Sequence, residues 1–202
     1  MKKKTFLITG GSGGIGAALA HKLVKTSYTP LIVYKSNREK AEDLARAVDG
    51  EAIELNLIDL DAVDRVVANL AASDVVLAGV VLGASAALRI TSFGHISEQD
   101  MENQWRVNVL GHQRLLAGLV RNVFRKRKQG IVVGVLSDAM GTTEKANLTS
   151  MGAYITAKYG LQGLLAVLKA GHRWLGVITV SPNFTETRML EAFDAKLEVQ
   201  VK

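Results

Sequence analysis

In the stretch GAYITAKYGL, Tyr154 precedes Lys158 by four residues. Side chains four apart on a helix share one face, a turn from each other. A phenol beside an ammonium can become a proton donor for catalysis, because the cation favours the phenolate and lowers a pKa that is ordinarily about 10. The same pair on a solvated surface would do nothing, so the rest of the chain must decide. Near the N-terminus, TFLITGGSGGIGAALAHKL reads as a strand, a glycine turn and a helix. Gly10, Gly14 and Gly16 are spaced as in TGxxxGxG. Glycines so placed allow a tight turn, close backbone approach to a diphosphate, and close packing of helix on strand. The following helix aims free N–H groups and the positive end of its dipole at phosphate. Gly10, Ser12, Gly13, Gly14, Ile15 and Gly16 are therefore candidate dinucleotide contacts.

A second stretch speaks to which dinucleotide. A free ribose 2′-hydroxyl is usually met by a carboxylate about 20 residues beyond the glycines. Here the second strand runs out into LIVYKSNREK, with no carboxylate from Tyr34 to Arg38. Lys35, Ser36, Asn37 and Arg38 suit a 2′-phosphate instead. NADP(H) is the expected cofactor, with NAD(H) as the alternative.

These residues need elements to position them. Short apolar runs at 4–9, 31–34, 52–55, 75–82, 131–136 and 177–181 read as strands. Most are continuously apolar, as strands buried on both faces should be. Helical patterns at 15–26, 39–48, 60–71, 98–124 and 154–170 alternate with them. The alternation predicts an α/β fold, a doubly wound parallel sheet joined by right-handed crossovers. With no repeat, linker or low-complexity segment, residues 1–202 are read as a single dinucleotide-binding domain.

Composition narrows the chemistry. The chain has no cysteine, which excludes disulfides and thiolate metal sites and fits a reducing, cytoplasmic setting. His21, His95, His112 and His172 show no ligand spacing, so no metal site is expected. Glycines interrupt the apolar start MKKKTFLITGGSGGIG where a signal peptide needs continuity. No uninterrupted apolar run reaches the roughly 18 residues of a membrane span. The net charge of +6 comes without aromatic-basic interleaving, so nucleic acid is not an expected partner.

Glycine loop, intermediate asparagine and Tyr-x-x-x-Lys, in that order, resemble the short-chain dehydrogenase/reductase family, and in particular members that reduce 3-oxoacyl groups on acyl carrier protein. The resemblance spans roughly residues 4 to 190, with TGxxxGIG matched by Thr9–Gly16, NVLG at 108–111, YITAK at 154–158 and SPNFTETRM at 181–189. It implies a Rossmann-like sheet of six to seven strands in order 3-2-1-4-5-6-7 with helices on both faces. It also implies hydride transfer between a carbonyl and a secondary alcohol, with Tyr154 as acid/base and Lys158 on the nicotinamide ribose. Asn108 would hold a water linking Lys158 to solvent, and a serine would polarise the substrate oxygen. Pro182, Phe184 and Thr187 would contact the nicotinamide end, Gly83 and Ala84 the adenosine ribose, and Asn56 and Leu57 the adenine.

Several positions depart from the family pattern. The serine usually lies about 13 residues before the tyrosine; Ser137 lies 17 before Tyr154. Counting from Gly141 would place Asp138 in that slot, where a carboxylate would repel a developing oxyanion. Ser137 is preferred, with the loop TTEKANLTS absorbing the extra residues and Thr149 or Ser150 as substitutes. The family's NNAG is LGAS at 82–85, Asn183 replaces the glycine of its PG, and Asn56 replaces an aspartate. Only 13 residues follow Met189, so the substrate-covering C-terminus is shortened, although LEVQV at 197–201 could add a strand. These departures favour a second reading, a dinucleotide-binding regulatory or scaffold protein that has lost turnover.

Two surfaces suggest partners. Arg121, Arg125, Lys126, Arg127 and Lys128 end the long helix before the fifth strand, with Arg173 at the end of the next. Cations there favour a helix C-terminus; by resemblance, such an end near the site mouth would dock an acidic acyl carrier. Val107, Leu110, Leu115, Leu161, Leu164 and Leu168 exceed what one sheet contact needs, and the family commonly forms homodimers or homotetramers through these helices.

Overall fold

The computed structural model describes residues 4–142, 145, 147–183 and 185. Its six strands are β1 (Lys4–Thr9), β2 (Tyr28–Tyr34), β3 (Glu51–Glu54), β4 (Val76–Leu82), β5 (Ile131–Val135) and β6 (Gly176–Val180). All pair in parallel, as the alternating pattern predicts, in the order β3-β2-β1-β4-β5-β6 that the family resemblance implies. The segment expected to add a seventh strand, at 197–201, lies outside the described residues.

Helices α1 (Gly14–Lys25), α2 (Arg38–Ala47) and α3 (Leu60–Ala72) form the crossovers of the first half. β2 starts three residues earlier than its apolar run suggests, taking in Pro30. Proline lacks a backbone donor, but β3 pairs only from Leu31 onward, so no β3 bond is lost at Pro30. The two faces of the sheet bury alternate side chains. Leu7, Leu31, Val33 and Val80 pack under Leu115, Leu119 and Leu161 on one side. Phe6, Ile8, Ile32 and Val81 pack against Ala20, Leu23 and Ala41 on the other. Burial on both faces is why these strands read as unbroken apolar runs. β6 differs: Ile178 is 52% and Val180 42% exposed.

The long helix expected over 98–124 is continuous but not uniform. It runs as α4 (Glu98–Trp105), a π-helical turn (Arg106–Gly111), α5 (His112–Leu119), a second π-helical turn (Val120–Phe124) and α6 (Arg125–Arg127). Wide turns of this kind concentrate at functional sites, and the first contains Asn108. Ser97 and Asp100 close a capping box at the start of α4. The last described helix, α7 (Gly152–Gly171), carries Tyr154 and Lys158 in its first two turns.

Candidate active site

The strand order reverses between β1 and β4, which opens a crevice at the carboxyl ends of those strands. The glycine turn leads straight into it. Gly10 sits at φ +67°, and a Cβ there would lie 2.9 Å from Ala84 Cα. A Cβ on Gly16 would lie 2.5 Å from the Gly10 carbonyl oxygen. Thr9 locks the two sides together, its hydroxyl oxygen accepting from the N–H groups of Gly83 (3.0 Å) and Ala84 (3.2 Å). Gly13, Gly14 and Ile15 are exposed at the start of α1, and Ser12 is half-buried. The N-cap, Gly13, offers no side-chain cap, so the first N–H groups of α1 have no side-chain acceptor there. An uncapped helix start behind a close-packed glycine turn fits a dinucleotide diphosphate.

Lys35, Ser36, Asn37 and Arg38 follow β2 and are all exposed. Two of them also have local work. The Asn37 side chain caps α2 by accepting from Lys40 N–H (3.4 Å), and Arg38 donates to Glu42 (2.7 Å). Asn56 is half-buried and accepts from Ile58 N–H (3.4 Å). The Leu57 side chain belongs to the core, and a Cβ on Gly111 of the first π turn would lie 2.4 Å from the Leu57 carbonyl oxygen. Gly83 and Ala84 are half-buried at the crevice edge, and Pro182 accepts from Asp138 N–H (2.9 Å). Phe184 and Thr187 lie outside the described residues.

Tyr154 and Lys158 are brought together. Both are buried, at 5% and 2% exposure, and the ammonium lies 5.4 Å from the centre of the phenol ring. Lys158 donates to the Val135 carbonyl at the end of β5 (2.8 Å). Burial lowers its pKa from the usual 10.5 to about 8. The expected electrostatics of Tyr154 need correcting. Burial raises its pKa, and the opposing pull comes from a hydrogen bond with the Ser137 side chain. Lys158 sits against the ring face and is tied to a carbonyl, while desolvation acts on the phenol itself. The resting phenol is therefore held firmly protonated.

Ser137 thus acts on the pKa of Tyr154 despite the long spacing. The extra residues form a 3₁₀ turn, Asp138–Met140, followed by Gly141 at φ +71°. Ser137 caps that turn, accepting from Ala139 N–H (3.2 Å). The Asp138 carboxylate is ion-paired with Lys145, which the same long loop supplies. Ser150 serves through its backbone carbonyl, which accepts from Thr91 N–H (2.9 Å).

Asn108 is fully buried in the first π turn. Its Nδ2 donates towards Gln104 Oε1 (2.9 Å), the Gln104 carbonyl (3.1 Å) and Ser85 Oγ (3.2 Å). Because the Gln104 carbonyl can only accept, the amide orientation is fixed. Asn108 Oδ1 is buried and has no protein partner among the described residues. Such an acceptor is costly unless a donor reaches it. Motif reading misses His112, one turn further on, which contacts both Asn108 and Thr9. Its place four residues after Asn108 is the only signal in the sequence.

The basic helix end is not beside this mouth. It closes α6 just before β5 begins, whereas Ser137 follows the other end of that strand. The Gly176 N–H to Gly130 carbonyl bond (2.9 Å) places Arg173 at the same edge. Along α7 that edge is roughly 25 Å from Tyr154. The reason is topological: a crossover helix runs antiparallel to its strands, so its C-terminus lies at their starts.

The model of the short chain dehydrogenase family matches residues 4–198. The chain belongs to the short-chain dehydrogenase/reductase family. It is 26% identical to the 3-oxoacyl-(acyl-carrier-protein) reductase FabG of Staphylococcus aureus, over 98% of this chain and 81% of that protein. It is 28% identical to the FabG of Aggregatibacter actinomycetemcomitans, over 93% and 78%. A short-chain dehydrogenase from Streptomyces avermitilis superposes with a TM-score of 0.83 at 26% identity, covering 93% of this chain and 68% of that one. As a short-chain dehydrogenase/reductase, the protein is an NAD(P)-dependent oxidoreductase, and its crevice, glycine turn and buried Tyr–Lys pair occupy one end of one sheet. No described helix is long and apolar enough to cross a membrane, and no group of three or more His, Cys, Asp or Glu among the described residues could hold a metal.

Proposed function

We propose that this short-chain dehydrogenase/reductase interconverts a carbonyl and a secondary alcohol using NADP(H), with Tyr154 as the acid/base. The observation that carries the reading is the buried phenol with Lys158 against its ring and Ser137 opposing the rise in its pKa. When bound, the dinucleotide supplies or accepts the hydride. In the reductive direction Tyr154 gives its proton to the carbonyl oxygen while hydride adds to the carbonyl carbon, leaving a phenolate that Ser137 stabilises. A phenol whose pKa burial has raised is in the right state to donate. Lys158 would hold the ribose of a bound dinucleotide, and the bare Asn108 Oδ1 could take a water linking Lys158 to solvent. The Asp138–Lys145 ion pair offsets a carboxylate that would otherwise oppose the oxyanion. Against the scaffold reading stands the completeness of this cluster.

Preference for NADP(H) rests on Lys35 and Arg38, both exposed at the end of β2, with no carboxylate between Tyr34 and Arg38. Oxidation of NADPH and NADH should be followed against ketones, β-ketoacyl thioesters and quinones. The expected result is faster consumption of NADPH, with Lys35→Glu/Arg38→Glu weakening NADPH by about tenfold and NADH little. Equal use of both cofactors by the native protein would overturn the assignment.

The substrate is a small carbonyl, and the FabG relatives point to one carried on an acyl carrier protein. Trp105 (40%), Leu110 (45%) and Val167 (73%) are exposed on the α4–α5 helix and α7, which supports a homodimer or homotetramer through these faces. Arg125→Glu/Arg127→Glu is expected to raise KM several-fold for a carrier-linked substrate and to spare a small free ketone; a similar rise for both would remove the docking proposal.

A further inference from the structure

Among the described residues, one fully buried titratable group takes no part in this proton transfer. His112 is 0% exposed, with Nδ1 3.1 Å from the Asn108 carbonyl and Nε2 3.0 Å from Thr9 Oγ1. We infer that His112 is a positioning residue, tying the nucleotide-side segment at Gly83 and Ala84 to the wide turn that presents Asn108. The inference rests on the redox reading only in that Asn108 serves the reaction.

The proton at the Asn108 end of this tie is fixed by chemistry. A carbonyl can only accept, so Nδ1 carries a proton for Asn108. Burial and the charge of Lys158 push the imidazole from 6.5 to about 4, so the ring is neutral and Nε2 is bare. Lys158 is the charged group that faces the ring. A bare Nε2 accepts the Thr9 hydroxyl proton, which leaves two lone pairs on Thr9 Oγ1. Those two lone pairs meet two donors, the N–H groups of Gly83 and Ala84. Four hydrogen bonds therefore run one way, from the crevice segment through Thr9 and His112 to Asn108, and each polarises the next. An imidazolium could not take part: its Nε2–H would become a third donor to a hydroxyl that accepts two.

Thr9 Oγ1 also lies 3.1 Å from the Val81 carbonyl, which gives its proton a fallback acceptor. Without His112 the hydroxyl can turn there and still hold Gly83 and Ala84. Loss of the imidazole should thus spare the nucleotide and harm the turn bearing Asn108. His112→Leu is expected to lower kcat about tenfold while the NADPH Kd stays within about twofold. Combined with Asn108→Ala it should cost no more than Asn108→Ala alone, because His112 acts through Asn108. Nitrogen NMR of the native protein should show a protonated Nδ1 and a bare Nε2 at neutral pH, a measurement independent of any variant's folding. Unchanged kcat, nucleotide affinity lost in step with kcat, multiplicative losses in the double variant, or a proton on Nε2 would each overturn the inference. Nucleotide binding without reduction of any carbonyl by the native protein would instead sink the redox reading, and the tautomer would still decide the tie.

Discussion

Replacing Tyr154 with phenylalanine lowers kcat for carbonyl reduction by about 10³-fold and leaves NADPH affinity nearly unchanged. The size follows from losing a general acid at the reacting oxygen. The selectivity follows from position: the phenol sits at the start of α7 with Ser137, while the glycine turn and α1 lie across the crevice on β1. Burial of the ring at 5% exposure is preserved by phenylalanine, so the fold should tolerate the change. Steady-state turnover and NADPH fluorescence titration on the same preparation are the checks. A variant that keeps more than about a tenth of the native kcat would show that another group supplies the proton.

Lys158→Met is expected to abolish turnover and yet stabilise the protein at neutral pH by about 2 kcal/mol. Among the described residues the buried ammonium has one protein hydrogen bond, to Val135, and its pKa falls from 10.5 to about 8. Below pH 8 both folded and unfolded chains carry that proton, and the folded state bears the whole desolvation penalty. Between pH 8 and 10.5 the unfolded chain keeps a proton that the folded chain has shed, so native stability rises with pH across this window. The gross penalty is about 3 kcal/mol, reduced by the bond to Val135 that methionine cannot make. Urea titrations at pH 7 and 10 should show the methionine variant more stable at the lower pH and lacking the upward slope. Lower stability at pH 7 would mean that the ammonium holds the fold together after all.

What could be read from the sequence was whatever depends on local spacing. The parallel sheet follows from alternating apolar runs and helices, its strand order from the family resemblance, and the Tyr154–Lys158 pairing from helical geometry alone. The position of Ser137 was recoverable because it directly follows the fifth apolar run, whatever the length of the loop after it. What escaped was set by contacts between distant segments. Thr9 and His112 are 103 residues apart, and no motif announces their bond. LGAS reads as the loss of two asparagines, but its Ser85 accepts from Asn108 across 23 residues. Lys145 looks like one more polar residue in a loop until the fold sets it against Asp138. The electrostatics of Tyr154 also eluded spacing, because burial and a partner's orientation are tertiary quantities.

The wide turns at Arg106–Gly111 and Val120–Phe124 bear on how this helix tolerates change. An ordinary helix advances about 100° per residue, so a turn that accommodates one additional residue resets the angular phase of everything after it. Asn108 and His112 face inward on the setting the first reset provides, and Phe124 is seated by the second. Deleting a single residue within 106–111 would keep a helix but rotate its downstream half, swinging His112 off Thr9 and turning Leu115 and Leu119 out of the sheet interface. Length, more than side-chain identity, is what that segment has least freedom to vary.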